Sequence, residues 1–174
     1  GQSAAQHLLS LGHSDIASIS SNIEIDDPAL RLQGFCEELA KATCYIDPAL
    51  IQYTQPTLQG GEQATKSLLA SNKKFTALFV YNDAMAIGAI SALEDHGFSV
   101  PKDISVIGFD DVLLARYSRP KLTTLKYPIE AMARQAATLA IALSNDLLAS
   151  SDMPLKHTPT LIERESTLAP AATS

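Results

Sequence analysis

The chain has 174 residues, 46% of them hydrophobic, enough for one sizeable core, since a domain of roughly 150 residues hides about two-thirds of the surface its unfolded chain exposes. Its formal net charge is -6 and its pI is near 5.1. The 13 basic residues form no basic stretch, which argues against this piece gripping nucleic acid itself, because neutralising phosphates requires a basic face. The longest apolar runs, such as Leu139 to Leu143, fall far short of the ~20 residues of a bilayer span, so a soluble domain without membrane contact is expected. Cys36 and Cys44 lack redox or ligand spacing, and His7, His13, His96 and His157 are scattered, so the cysteines are read as reduced and neither metal nor cofactor is expected.

In chain order, Gly1 to Leu11 has a helical pattern closed by Gly12, and Asp15 to Ser20 follows as a short strand. A polar loop leads to Pro28, well placed in the first turn of a helix running to about Ala42, whose apolar stripe is Leu30, Phe35, Leu39 and Ala42. Leu50 to Tyr53 is a second strand and Gly60 to Ala70 a third helix. Thr76-Ala-Leu-Phe-Val-Tyr is the clearest strand, apolar enough to be buried on both faces, and it passes through Asn82-Asp83 directly into the helix of Ala84 to Leu93. Gly97 ends that helix, and Ile104-Ser-Val-Ile-Gly-Phe is the next strand, ending at Asp110-Asp111. Leu122-Thr-Thr-Leu, a helix from Ile129 to about Ser144, a Ser/Asp/Pro-rich link and a short strand from Thr160 to Arg164 complete the pattern, with 169–174 as a frayed tail. Strands alternating with helices predict an α/β fold, a parallel sheet with helices on both faces.

In such sheets ligands sit beyond the carboxyl ends of the strands, where loops converge and helix N-termini point their free amides at a crevice. Asn82, Asp83, Asp110 and Asp111 all follow strands. One of Asn82 and Asp83 is expected to cap the next helix, leaving the other to face the crevice. Asp110 and Asp111 read either as a solvated turn or, as neighbours on an extended segment pointing to opposite faces, as one carboxylate turned to a ligand; they are ill placed as an acid/base pair or metal clamp. Arg31, on the first turn of its helix, is either an exposed surface arginine or a ligand fork. Together an arginine fork, an asparagine amide and an aspartate match vicinal sugar hydroxyls. Gly60-Gly61 has no Lys-Ser/Thr after it and is a helix start rather than a phosphate cradle. With no nucleophile elbow and no Cys/His pairing, an enzyme is not expected.

The strings Val80-Tyr-Asn-Asp-Ala-Met-Ala-Ile-Gly-Ala, Val100-Pro-Lys-Asp-Ile-Ser-Val-Ile-Gly-Phe-Asp-Asp and Arg119-Pro-Lys-Leu-Thr-Thr-Leu, preceded in the right order by His7-Leu-Leu-Ser-Leu-Gly-His and Arg31-Leu-Gln-Gly-Phe, resemble the lactose/galactose repressor family of bacterial transcription regulators over nearly the whole chain. Gly60-Gly-Glu-Gln-Ala, Ala115-Arg-Tyr and Lys126-Tyr-Pro-Ile look most like its galactose-responsive members. The resemblance implies a type I periplasmic-binding-protein architecture, two α/β subdomains closing on a small effector. On that basis residues 1–121 form most of the C-terminal subdomain, 122–149 a strand and helix belonging to the N-terminal subdomain, and 150–168 the return strand. It further implies a sugar effector, with galactose favoured, held by Arg31, Asn82 and Asp110. Gln55 stands where some relatives place an aromatic ring. A cytoplasmic homodimer is implied, with operator DNA bound only through a helix-turn-helix head that this chain lacks. The apolar face of Ile129, Met132, Ala136, Leu139, Ala140 and Leu143 would then have lost its native partner. The alternatives are a secreted sugar-binding protein serving a transporter, and a glycosidase using Asp83 and Asp110.

Overall fold

The computed structural model describes residues 1–144 and 157–171. The link after Ser144 and the end of the tail lie outside the described residues, as do the inner ends of the segments drawn at 122–149 and 150–168. Four parallel strands make the main sheet: β1 (Ile16–Ser21), β2 (Ile51–Thr54), β3 (Ala77–Val80) and β4 (Ser105–Ile107), in spatial order β2-β1-β3-β4. The register pairs Ile16 with Ala77 and Ser18 with Ile51 across β1, and Ala77 with Ser105 across β3. The helices are α1 (Gln2–Ser10), α2 (Asp26–Lys41), α3 (Leu58–Ala70), α4 (Asp83–Asp95) and α5 (Ile129–Ser144).

Burial on both faces follows from alternation along the strands. Ala17, Ile19, Leu78 and Val80 face the layer formed by α3 and α4, joining Leu68, Met85, Ala89 and Leu93. Ile16, Ala77 and Phe79 face the opposite layer, where α1 and α2 contribute Ala5, Leu8, Phe35 and Leu39. Phe35 and Phe79 stack there with ring centroids 4.3 Å apart. Each such fully buried side chain contributes about 1.5–3 kcal/mol through burial. Gly12 and Gly97, at φ +92° and +83°, end α1 and α4 as the sequence suggests. His7 and His13 are packing residues: His7 meets Thr167 at 3.0 Å, and His13 meets Thr76 and the Leu168 carbonyl, both at 2.8 Å. Both hold the C-terminal segment against the sheet. Cys36 and Cys44 are free thiols.

Two features differ from the sequence reading. The last two strands do not enter the parallel sheet as full members: β5 (Thr124–Lys126) and β6 (Thr160–Ile162) form an antiparallel ribbon. A single parallel bridge from Ile107 to Thr123 ties it beside β4. In addition, Leu122 and Leu125 are fully buried in the two cores on either side of the sheet, so the start of the segment drawn at 122–149 packs into the same body as residues 1–121. Along α5 the packing stops. No residue of α5 is buried, and Ile129 is 64% and Leu143 41% exposed.

Candidate functional site at the carboxyl ends of the strands

The parallel order brings the ends of β1, β2, β3 and β4 to one rim, and the side chains singled out from the sequence can be followed there one by one. Asn82 is the N-cap of α4: its Oδ1 accepts a hydrogen bond from the Met85 amide at 2.9 Å, and its Nδ2 reaches the Pro56 carbonyl only at 3.5 Å. The cap offsets one of the free amides of the first turn. The long second contact leaves Nδ2 nearly free to donate elsewhere. Gln55, just past β2, is exposed; its carbonyl accepts from the Thr57 amide at 2.8 Å. Thr57, rather than the glycine pair, starts α3, capping through the Gly60 amide at 3.0 Å.

Arg31 is not a surface arginine, and it lies on the second turn of α2 rather than the first. Its side chain is only 8% exposed. The guanidinium carbon sits 3.7 Å above the Phe109 ring and 4.4 Å from that of Tyr81, while Nη1 donates to the Tyr81 carbonyl at 2.6 Å and Nη2 to Asp27 at 2.8 Å. The Tyr81 hydroxyl donates to the same Asp27 oxygen at 2.9 Å. Arg31 Nε is buried with no partner. Part of the fork is therefore committed to holding the arginine flat against the aromatic rings.

Asp110 and Asp111 are not on an extended segment. Both have positive φ, 113° and 54°, so the two carboxylates are parted by a left-handed turn. Asp111 turns inward, 2% exposed, to Arg164 on the residues following β6, with Arg116 at 3.3 Å and Lys126 at 3.9 Å. Burial alone would push its carboxyl up, but the hydrogen bonds and charges of Arg164 and Arg116 outweigh this and hold it below the ordinary value. Asp110 is half-buried, and no described residue hydrogen-bonds its carboxylate. Burial pushes its pKa up, the Arg31 charge pulls it back and Asp27 adds to the rise. It borders an open cleft of about 610 Å³ lined also by Lys126, Tyr127, Ile129 and Arg134. Arg31 and Asp110 are thus brought together across Phe109, with Asn82 next to Tyr81 on the same rim; Gln55 joins only through Pro56, its neighbour.

Asp83 turns away from the cleft and is fully buried. Its amide donates to the Phe109 carbonyl at 2.9 Å, and its carboxylate accepts from the Val112 amide at 2.9 Å and the Thr124 hydroxyl at 2.6 Å. Desolvation pushes its pKa up to about 6 against the pull of those two bonds, with Asp110 and Asp111 adding to the rise. A carboxyl raised in the folded state takes up protons preferentially when folded, so its stabilising contribution is complete below about pH 4 and is lost as pH rises through about 6. Asp83→Asn can keep both bonds, accepting from Val112 and donating to Thr124. The difference in urea midpoint between wild type and this variant is expected to change between pH 4 and 6.5, in the variant's favour as pH rises, by on the order of 2–3 kcal/mol in stability. A constant difference across that window would show that Asp83 is ionised throughout.

Sequence reasoning missed Asp27, Tyr81, Phe109 and the anchors Thr124 and Arg164. Of these only Asp27 had a local signal, its i,i+4 spacing to Arg31. Among the described residues no group of three His, Cys, Asp or Glu could hold a metal ion, and no helix is long and apolar enough to cross a membrane.

The rim therefore places an unbonded carboxylate at an open cleft, with a nearly free amide and a stacked arginine near it, a combination of hydrogen-bond donors and acceptors. The periplasmic binding protein-like domain model matches residues 5–167. The chain is 45% identical over 168 residues to the HTH-type transcriptional regulator GalR of Escherichia coli (strain K12), covering 97% of this chain and 49% of that protein, so it spans about half the length of the curated relatives it matches. Among solved structures it resembles a sugar-binding transcriptional regulator of the LacI family from Escherichia coli, complexed with phosphate, with a TM-score of 0.88 and 34% identity over 97% of this chain and 60% of that one. It also resembles the lac repressor dimer bound to operator and an anti-inducer, with a TM-score of 0.86 and 28% identity over 97% of this chain and 57% of that one. The chain belongs to the periplasmic binding protein-like domain family, in the form carried by the LacI/GalR transcription regulators and close to GalR.

Proposed function

We propose that this domain senses a small neutral sugar, galactose before others, at the rim formed by Arg31, Asn82 and Asp110, and that it is the effector-binding part of a transcription regulator. The observation that carries the reading is Asp110: a half-buried carboxylate with no hydrogen bond from any described residue, held beside a stacked Arg31 whose Nε is also unpartnered. Vicinal hydroxyls would supply the missing donor to Asp110, with the Arg31 charge close behind it. Asn82 Nδ2 would donate to a third oxygen, and Gln55 would lie at the margin as a polar neighbour where an aromatic ring would stack. The binding is non-covalent and no turnover is involved.

Residues 129–144 would belong with a second subdomain that closes the cleft from the other side, which explains why α5 finds no burial here. As in the dimeric, operator-bound relative, the whole protein would act as a cytoplasmic homodimer and touch operator DNA through a separate helix-turn-helix head. Effector and DNA would then oppose one another by a shared coupling free energy, typically ~1 to 3 kcal/mol.

Calorimetric titration of the full-length protein with galactose, glucose and ribose tests this reading. At least one sugar should bind, and Asp110→Ala should weaken it by about 1.5–3 kcal/mol, the cost of losing a charged hydrogen-bond acceptor. An unchanged dissociation constant in the Asp110→Ala protein would remove the site assignment.

A further inference from the structure

The turn at 110–112 places two consecutive non-glycine residues at positive φ, 113° and 54°. A backbone of this kind costs about 1–3 kcal/mol per residue and persists only where surrounding groups over-determine it. Nearly all of those groups come from, or are locked to, one place. The Asp110 amide donates to the Leu125 carbonyl at 2.8 Å. The Val112 amide is held by Asp83, whose other oxygen is held by Thr124. Asp111 is held by Arg164, which also donates through Nη1 to the Leu122 carbonyl at 2.7 Å and through its amide to Thr123 Oγ1 at 2.9 Å. Leu122, Thr123, Thr124 and Leu125 form or adjoin β5, and Arg164 follows β6. The turn that presents Asp110 is therefore bolted to the β5–β6 ribbon, and β5 runs directly into α5, among the described residues the one α-helix with no buried side chain.

We propose that Asp111, Arg164, Asp83 and Thr124 are positioning residues that couple a ligand on Asp110 to the β5–β6 ribbon and through it to α5. The inference rests on the effector reading above. A ligand drawing on Asp110 cannot shift the turn without shifting Leu125 and Arg164, because the strained backbone has no other resting place supported by these bonds. Gly108 closes the remaining freedom: a Cβ there would overlap Asp83 Oδ1 and lie 3.0 Å from Leu122 Cδ2. The inner end of the turn is thus seated against both the buried carboxylate and the start of the ribbon.

The test is hydrogen exchange of the full-length protein, free and saturated with whichever of galactose, glucose or ribose binds by calorimetry. In the wild type, saturation should slow amide exchange in residues 122–126, 160–164 and 129–144. Asp111→Asn removes the charge that holds Arg164, and Thr124→Val removes the Asp83 bond with nearly the same shape. Each should weaken sugar binding by no more than about tenfold, yet at saturation lose most of the protection change in 129–144. Arg116→Gln, which removes one exposed partner of Asp111 and leaves Arg164 in place, should keep it. If the Asp111→Asn and Thr124→Val proteins at saturation show the wild-type protection change, the coupling is overturned while the effector reading stands. If the wild type binds none of the three sugars, the effector reading fails and the coupling falls with it.

Discussion

Gly88→Ala is expected to cost the domain about 3 kcal/mol or more, beyond most single overpacking changes. A Cβ built on Gly88 overlaps the Leu58 carbonyl oxygen and lies 3.1 Å from the Glu62 amide nitrogen, and one on Gly61 overlaps the Met85 carbonyl oxygen and stands 2.7 Å from Met85 Cα. The two glycines are reciprocal, each pressed on the backbone of the other helix, so neither α3 nor α4 can yield by a side-chain rotation. An added methyl group must separate the helices, opening the core at Leu68, Met85 and Ala89 and displacing the Asn82 cap at the start of α4. Gly34, in α2, makes the control: its nearest neighbours are Gln2 Cγ at 3.6 Å and Gln2 N at 3.8 Å. Gly34→Ala should therefore be neutral or raise stability by up to about 1 kcal/mol through helix propensity. Urea unfolding of the three proteins checks both signs, and a Gly88→Ala protein within 1 kcal/mol of wild type would mean the helices cross farther apart than described.

The second large effect is expected at Arg31. Replacing it with methionine keeps an apolar stem over Phe109 but strips the charge from beside Asp27 and Asp110 and leaves the Tyr81 carbonyl without its donor. Stability should fall by about 2 kcal/mol, moderated because Asp27 is 45% exposed and can be resolvated. On the proposed function, sugar affinity should fall by about 100-fold or more, since the site loses the guanidinium whose positive charge offsets part of the burial cost of the Asp110 carboxylate. Arg31→Lys separates charge from shape. An ammonium can stay near Asp27 but cannot lie flat on two rings while donating in two directions, so lysine should recover much of the stability and little of the binding. A lysine variant that binds sugar as well as wild type, measured by calorimetry, would show that the fork and its stacking are irrelevant to the ligand.

Much of this molecule was legible along the chain. The apolar continuity of Ala77 to Val80 revealed a doubly buried strand, the glycines at 12 and 97 marked helix ends, and Asn82 was readable as a cap because the amide it serves is three residues away. The position of Asp110 after a strand was enough to bring it to the rim. The cleft's other occupants were less accessible. Arg31 read along the chain either as a surface residue or as a ligand fork, since nothing in its neighbourhood announces Phe109 and Tyr81, which arrive from two other strand ends. Adjacent Asp110 and Asp111 read either as a solvated turn or as opposite faces of an extended segment; they form a turn, and the positive φ values that part them are set against Leu125, Asp83 and Arg164.

Hydrophobic alternation, the glycine-marked helix ends and the order of strands and helices are short-range properties, governed by sterics and burial within a few residues, and the amino-acid sequence determined them unaided. Which carboxylate faces the cleft, which is sealed at a raised pKa beneath it and which is locked to an arginine 53 positions away was decided only by tertiary structure. Those states depend on desolvation and on hydrogen-bond partners that long loops bring together, and three aspartates of identical chemistry become an open acceptor, a buried acid and an ionic anchor according to where the folded chain places them.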